Sequence, residues 1–420
     1  MSQTTLQSSA QGFLARYAGL KSRFPGDTTQ RAAGADAFAR HGLPGPREEA
    51  WRYTALRPLA ETQFHEPVVL LADTSAQLAA LALPDLPRLV FIDGRFSAPL
   101  SRLPEGISIA TGVPAFGRIA DNDEKLVALN TMLAEDGAAI DVASGIDAGT
   151  ILLVSLGTDA HGHPVSFHPR HAIRLGQGAS LTLAEINTGA GIYFNNPVIT
   201  AEIAEDATLV HLREQREAPS AFHLSTVFAE VAARGTYDSF SLALGGRLAR
   251  VQVHARLAGE NAMAHLNAAQ LLGATQHSDF TTTVRHDAPS TASRQTVKNV
   301  LTGHAKGVFQ GKIEVARIAQ KTDGYQMNQT LLLSRDAEID SKPQLEIYAD
   351  DVKCSHGCTV GELDADQLFY LRSRGVPEAD ARNILIRAFL SEALDPIAHD
   401  AMRDHMESAI AAWWDKAPTS

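Results

Sequence analysis

The 420-residue chain has a net charge of −11 and no concentrated stripe of lysine and arginine, which excludes the cationic surface that nucleic-acid phosphates require. Its 45% hydrophobic and 20% charged residues are those of a globular protein with a large core, and no run approaches the roughly 20 apolar residues that cross a bilayer. Two cysteines exclude a disulfide scaffold and fit a reducing compartment. Residues 1–65 read as a helical region. Residues 1–26 hold no acid and three bases, Arg16, Lys21 and Arg23, a composition compatible with a transit peptide. Against that, Phe13, Leu14, Tyr17 and Leu20 recur at helical spacing and favour an amphipathic helix docked on the domain. Helical patterns over 6–24 and 30–40 break at Gly42-Leu43-Pro44-Gly45-Pro46, and the charged segment 47–54 then offers Trp51 and Tyr53 as aromatic anchors.

Residues 66–147 form a mixed connecting region with a buried strand at Arg88–Ile92 and an Asp93-Gly94 turn. From 148 to 360 the chain is mainly β. Short alternating segments follow one another at 151–156, 180–186, 208–213, 248–257, 262–271, 312–319 and 329–333, with no helix between them. Gly178-Ala179-Ser180-Leu181, Asp206-Ala207-Thr208-Leu209, Asn261-Ala262-Met263 and Asp336-Ala337-Glu338-Ile339 share an order of turn-former, alanine, variable and apolar. A unit of about 25–28 residues suits their spacing and points to a β-solenoid, with a two-sheet sandwich as the rival. Residues 361–420 return to a helical period. Asp364 N-caps a first helix, Gln367 stands at the capping-box position and Gly375 ends the helix. Pro377 opens a second helix whose apolar face is Ala381, Ile384, Leu385, Ala388, Phe389 and Leu390, and a third runs from about Pro396 to Trp414. Phe369, Leu385, Phe389, Trp413 and Trp414 are more apolar surface than one small subdomain needs, so they are candidate partner-docking residues; packing among the three helices is the alternative.

The chemistry concentrates in Cys354-Ser355-His356-Gly357-Cys358, which holds both cysteines. The alternation of Gln344-Leu345-Glu346-Ile347-Tyr348 before it suggests a strand. If that strand continues, Cys354, His356 and Cys358 share one face, with neighbours roughly 6.6 Å apart along the chain, and are candidate ligands for one soft metal. A Cys354–Cys358 disulfide is disfavoured, because extended chain holds the two Cα atoms roughly 13 Å apart. The competing reading is that these are small buried residues that simply pack.

Lys353-Cys354-Ser355-His356-Gly357-Cys358-Thr359-Val360-Gly361, followed by Leu368-Phe369-Tyr370-Leu371-Arg372-Ser373-Arg374-Gly375, strongly resembles the SufB/SufD family of iron–sulfur cluster assembly. The likeness extends to Asp323-Gly324-Tyr325-Gln326, Asn328-Gln329, Leu331-Leu332-Leu333, Lys342-Pro343-Gln344-Leu345-Glu346-Ile347 and Glu48-Glu49-Ala50-Trp51-Arg52-Tyr53-Thr54. It lies on the SufD side, since the additional cysteines of SufB are missing. The resemblance implies a right-handed parallel β-helix core, a helical N-terminal region and a small helical C-terminal domain. It also implies a non-catalytic subunit of a cytoplasmic complex with a SufB-like paralogue and two copies of a SufC-like ABC ATPase; a homodimer is a possible form in isolation, which the sequence does not decide. Cys354 and His356 match the family's Cys and His at the paralogue interface, where a transient iron–sulfur cluster or precursor is shared. Cys358 departs from the family's small alanine, and reads as a small substitute or a third ligand. The family complex is associated with reduced flavin, yet no G-x-G-x-x-G follows a strand here, and no cofactor is expected to stay on this chain alone. The chain also lacks a G-x-x-x-x-G-K-[ST] loop, so ATPase activity is expected in a partner.

Two other classes remain at this level. A β-helical carbohydrate-active enzyme would need clustered carboxylates, for which Glu202, Asp206, Glu214 and Asp238 are candidates. A self-contained zinc site would have only three local ligands where structural zinc takes four, and His254, His277 and His304 read as structural residues.

Overall fold

In three of the four occurrences of the repeated signature the turn-former adopts a left-handed backbone that opens a coil; the fourth, Asp336, does not, and it precedes a strand of the other sheet. In the computed structural model, which describes residues 3–68, 74–117, 121, 123–395 and 397–416, φ is 66° at Gly178 and 60° at Asp206 and Asn261. Arg234, Ser290 and Lys321 occupy the equivalent position at 56°, 58° and 62°. Each stands two residues before a strand. The alanine behind the turn (Ala179, Ala207, Ala262) is fully buried, as a tight corner with no room for a larger side chain requires.

The first strands are β1 (Arg88–Ile92), β2 (Arg95–Phe96), β3 (Ser108–Thr111), β4 (Ala138–Val142), β5 (Asp147–Gly157), β6 (Val165–Phe167) and β7 (Arg170–Leu175). The middle holds β8 (Ser180–Gly189), β9 (Tyr193–Asn195), β10 (Val198–Ile203), β11 (Thr208–Glu217), β12 (Phe222–Val231), β13 (Thr236–Ala243) and β14 (Leu248–Leu257). The last are β15 (Met263–Leu272), β16 (His277–His286), β17 (Ala292–Leu301), β18 (Lys306–Val315), β19 (Asp323–Leu332), β20 (Glu338–Ile347) and β21 (Lys353–Gly361). They form two sheets. The first is ordered β2-β1-β5-β8-β11-β13-β15-β17-β19-β21 and the second β20-β18-β16-β14-β12-β10-β7-β4-β3. From β5 onward the chain alternates between the sheets and every pairing is parallel, as in β11 with β13 and β12 with β14, so this is a β-solenoid rather than an antiparallel sandwich. Thr208 pairs with Ser180, Thr236 with Thr208, Met263 with Thr236, Ala292 with Met263, Asp323 with Ala292 and Lys353 with Asp323. A coil therefore takes 27–31 residues, and the 25–28 suggested by the alanines is corrected upward because the later corners are longer. The strand at Arg88–Ile92 and its turn are present, with Asp93 at φ 47° and Gly94 at 80°, and β1 and β4 extend the two sheets upstream of residue 148.

Inward positions are apolar over most of the length: Leu181, Leu209, Tyr237, Ala264, Ile199, Val227, Val253 and Phe280 stack coil on coil. Other inward positions are polar. Ser239, Gln295 and Gln326 are buried in one column of the first sheet and His223 on the second, which hides several strands from a search for hydrophobic alternation.

Helices cover both outer faces. On the second sheet lie α1 (Gln3–Leu20), α2 (Thr28–His41), the short α3 (Arg57–Ala60) and, further along the chain, α5 (Lys125–Leu133); between these two regions runs the short α4 (Ser75–Ala79). Phe13, Phe38, Trp51 and Met132 pack there against Phe194, Phe222, Leu224 and Leu248. On the first sheet lie the C-terminal helices α6 (Ala365–Ser373), α7 (Glu378–Leu394) and α8 (Asp400–Lys416); Pro396 lies outside the described residues. Asp364 caps α6 by accepting from the Asp366 and Gln367 amides, and Gly375 follows the helix at φ 86°. The buried face of α7 is Ala381, Ile386, Leu390, Ala393 and Leu394, so Ile384 and Ala388 of the expected face point to solvent instead. The difference arises because α7 lies against a sheet as well as against its neighbours. No described helix is long and apolar enough to cross a membrane.

Candidate functional site

The solenoid ends in an open coil, and the cysteine–histidine strand is its rim. β21 pairs only with β19 and β20 only with β18, so the last strand of each sheet carries unpaired backbone groups on its outer edge. Lys342 and Pro343 interrupt the edge of β20, whereas β21 has no proline. The exposed apolar residues Ile347, Tyr348 and Val360 lie on or beside this rim.

Alternation turns Cys354, His356 and Cys358 toward the interior of that coil. Cys354 is half-buried against Leu345 and Val352, above Ile313, Val315, Ala319 and Ala349. Burial pushes its thiol above the ordinary value; a backbone hydrogen bond from Gly324 acts the other way, and the nearby Asp323 charge adds to the rise. Gly324 lies directly beneath, and a Cβ there would stand 3.3 Å from Cys354 Sγ, so glycine at this position leaves the sulfur its seat. Cys358 is exposed, with Sγ 3.1 Å from Ser341 Oγ on the opposite strand β20. Ser341 Oγ already accepts from Asn328 Nδ2 at 3.1 Å, which leaves its own proton to donate to the sulfur. The chain continues inward: Asn299 donates to Asn328 Oδ1 at 2.7 Å and Gln270 to Asn299 Oδ1 at 2.9 Å. His356 is exposed and pairs in register with Gln326. Both cysteines are free thiols, and among the described residues no group of three or more His, Cys, Asp or Glu side chains is arranged to hold a metal ion.

The candidate docking residues separate into two groups. Tyr370 (56% exposed) and Ile384 (47%) line a shallow groove between α6 and α7 with Leu371 and the half-buried Leu385, and Phe369, 73% exposed, stands next to Tyr370 in sequence on α6. Phe389, Trp413 and Trp414 instead pack against the first sheet, and the Lys298 ammonium sits 4.4 Å from the Phe389 ring centre while pairing with Glu392. The carboxylates considered for carbohydrate chemistry do not converge. Asp206 pairs with Arg234, Glu214 is buried against Arg216 and His405, Asp238 lies beside His265, and Glu202 faces Arg174 across the second sheet. His254 stacks on Phe228, His277 contacts Thr54 and His304 stands near Asp336. Sequence spacing finds the three rim residues; it passes over Ser341, which is distant in sequence and meets Cys358 only because β20 faces β21.

The sequence model described as "SUF system FeS cluster assembly, SufBD core domain" matches residues 157–389. The chain belongs to the SufBD family. It is 35% identical over 382 residues to the iron–sulfur cluster assembly protein SufD of Escherichia coli (strain K12), covering 88% of this chain and 89% of that one. It is also 32% identical over 411 residues to the iron–sulfur cluster assembly SufBD family protein slr0076 of Synechocystis, covering 91% and 90%. A third relative, "Protein ABCI7, chloroplastic" of Arabidopsis thaliana, is 29% identical over 404 residues, covering 90% and 84%. Within the SufBD family the chain is SufD-like, and its function lies in iron–sulfur cluster assembly.

Proposed function

We propose that this chain is the SufD-like, non-catalytic subunit of a cytoplasmic assembly complex, pairing with a SufB-like paralogue and docking a SufC-like ATPase. The observation that carries the reading is the position of Cys354, His356 and Cys358 on the open rim strand, turned into an unfinished coil. A second solenoid that continued the pairing along β21 would satisfy the rim's backbone and cover Tyr348 and Val360. Its own soft ligands would then complete what Cys354 and His356 begin, with the iron–sulfur cluster or precursor as cargo shared across the join rather than a resident cofactor. The exposed Phe369, Tyr370 and Ile384, with the half-buried Leu385, are the surface assigned to the ATPase, while Phe389, Trp413 and Trp414 hold those helices to the sheet. The test is His356→Ala made at native expression. The expected result is loss of cluster assembly in cells, read from the activity of an iron–sulfur reporter enzyme, with the paralogue and ATPase still co-purifying. Wild-type cluster yield from that variant would leave the chain a purely structural subunit.

A further inference from the structure

Gln326 lies in the coil directly beneath His356, and its side chain is unlike any other in the polar column. It is completely buried, yet neither its Nε2 nor its Oε1 has a hydrogen-bond partner. One coil further in, the same column holds Gln295, whose Oε1 accepts from the Thr282 hydroxyl at 2.6 Å. The residue in register with Thr282 on the next strand is Gly311, so the hydroxyl that would serve Gln326 has been removed. Gly311 also makes the room: a Cβ there would stand 2.9 Å from Gln326 Oε1. Native interiors rarely leave a buried amide unpaired, because it has given up its water without replacement. The neighbour on the side left open, one strand spacing away at about 4.8 Å, is His356.

A histidine that binds a metal through one ring nitrogen almost always donates the other N–H to a fixed acceptor, which sets the tautomer and the orientation of the ring. We propose that Gln326 is that acceptor: a positioning residue whose amide oxygen receives the His356 ring N–H, directly or through one water, when the imidazole takes up iron. The amide turns over within its pocket to do so, which its lack of other partners permits. This role gives the Asp323-Gly324-Tyr325-Gln326 segment two parts in one site, since Gly324 seats Cys354 and Gln326 orients His356. It rests on the proposed function above, in which His356 is a ligand.

The experiment uses the complex purified with its partners, reconstituted anaerobically over a range of ferrous iron concentrations at fixed sulfide. Gln326→Met keeps the volume and removes the acceptor, whereas Gln326→Glu keeps an acceptor oxygen. Gln326→Met is expected to raise the half-saturating iron concentration about 10-fold, while the melting temperature stays the same or rises because an unpaired amide has gone. Gln326→Glu should restore the iron dependence toward wild type. Unchanged iron dependence in Gln326→Met, with His356→Ala inactive, would overturn this inference and leave the proposed function standing. A lowered melting temperature with unchanged iron dependence would also overturn it, assigning the side chain to packing. Activity in His356→Ala would remove the ligand and the proposed function with it.

Discussion

Cys354 and Cys358 stand four residues apart on one strand and meet different surroundings. Cys354 is wedged among Leu345, Val352 and Ala349, so its thiol is held in the protonated form beyond the ordinary value of 9.0. Cys358 is open to solvent beside the Ser341 hydroxyl. Brief treatment with iodoacetamide at pH 8 should therefore alkylate Cys358 well before Cys354, as read by peptide mass spectrometry. Because the thiolate is the nucleophile, the Cys354 rate should go on climbing above pH 9, where an unperturbed thiol has begun to level off. Equal labelling of the two would contradict the burial of Cys354. The shared face of the three rim residues was legible in the sequence, since period two follows from strand geometry alone. What lies beneath them was not: Gly324, Gln326 and Ser341 acquire meaning only from the register that stacks one coil on the next, and a single sequence carries no trace of that register.

At the scale of elements, segment 49–54 works as a strap across the second sheet. The Trp51 ring lies 4.0 Å from the Arg250 guanidinium on β14, and Arg250 is itself paired with buried Asp279 on β16. Thr54 donates to the same carboxylate and its oxygen lies 3.1 Å from His277 Nε2. Gln310 on β18 donates to the Ala50 carbonyl at 3.1 Å, and Lys342 on β20 meets Glu49 at 2.6 Å. Four strands are thus stitched by four residues of this segment, and the last stitch falls next to Ser341 on the rim. Trp51→Ala should cost about 3–5 kcal/mol from lost packing, and Arg250→Ala a similar amount because Asp279 would remain charged and unpaired. Either loss is measurable by urea denaturation. Burial also lowers the His277 imidazole from 6.5 to about 4, with Asp279 opposing and Lys306 adding to the fall. A depressed histidine stabilises the fold fully above pH 6.5 and loses that contribution as pH falls toward 4. His286, likewise lowered to about 4 by burial, has the same sign. Stability should therefore fall between pH 6.5 and 4, and His277→Gln should lessen the slope. The aromatic anchor was readable from Trp51 and Tyr53, but its targets were not. Strands such as His277–His286 and Ala292–Leu301 place Ser278, Thr282, Ser293 and Gln295 inward, and so lack the hydrophobic alternation that marks β5 or β14.

Over the whole molecule the solenoid has two covered faces and an open end at β20 and β21, and each follows from how apolar surface is distributed. Corner turns and period-two segments made the solenoid readable, because both are local. The placement of the C-terminal helices was not readable, since an amphipathic helix presents the same sequence whether its apolar face meets this chain or another. Here Ile386, Leu390, Leu394, Met402, Met406 and Ile410 cover Leu152, Val154, Leu212, Phe240, Leu242 and Val300 of the first sheet. Burying a side chain of this size contributes about 1.5–3 kcal/mol, so six such residues exceed the margin by which a domain is stable. A chain ending at Gly361 should therefore aggregate or unfold, and its failure to bind a partner would say nothing about docking. The informative variant changes only exposed residues. Phe369→Asp combined with Ile384→Asp alters two residues that are 73% and 47% exposed and carry none of that packing. The double variant should keep the wild-type circular dichroism spectrum and melting temperature within about 0.5 kcal/mol of stability per site, as surface changes usually do. If these exposed residues of α6 and α7 seat the ATPase, two carboxylates introduced there should reduce co-purification of the ATPase at least 10-fold, because a charge buried without a partner costs more than the 1.4 kcal/mol that such a factor represents. Retained co-purification with an intact fold would move the docking surface off α6 and α7 altogether.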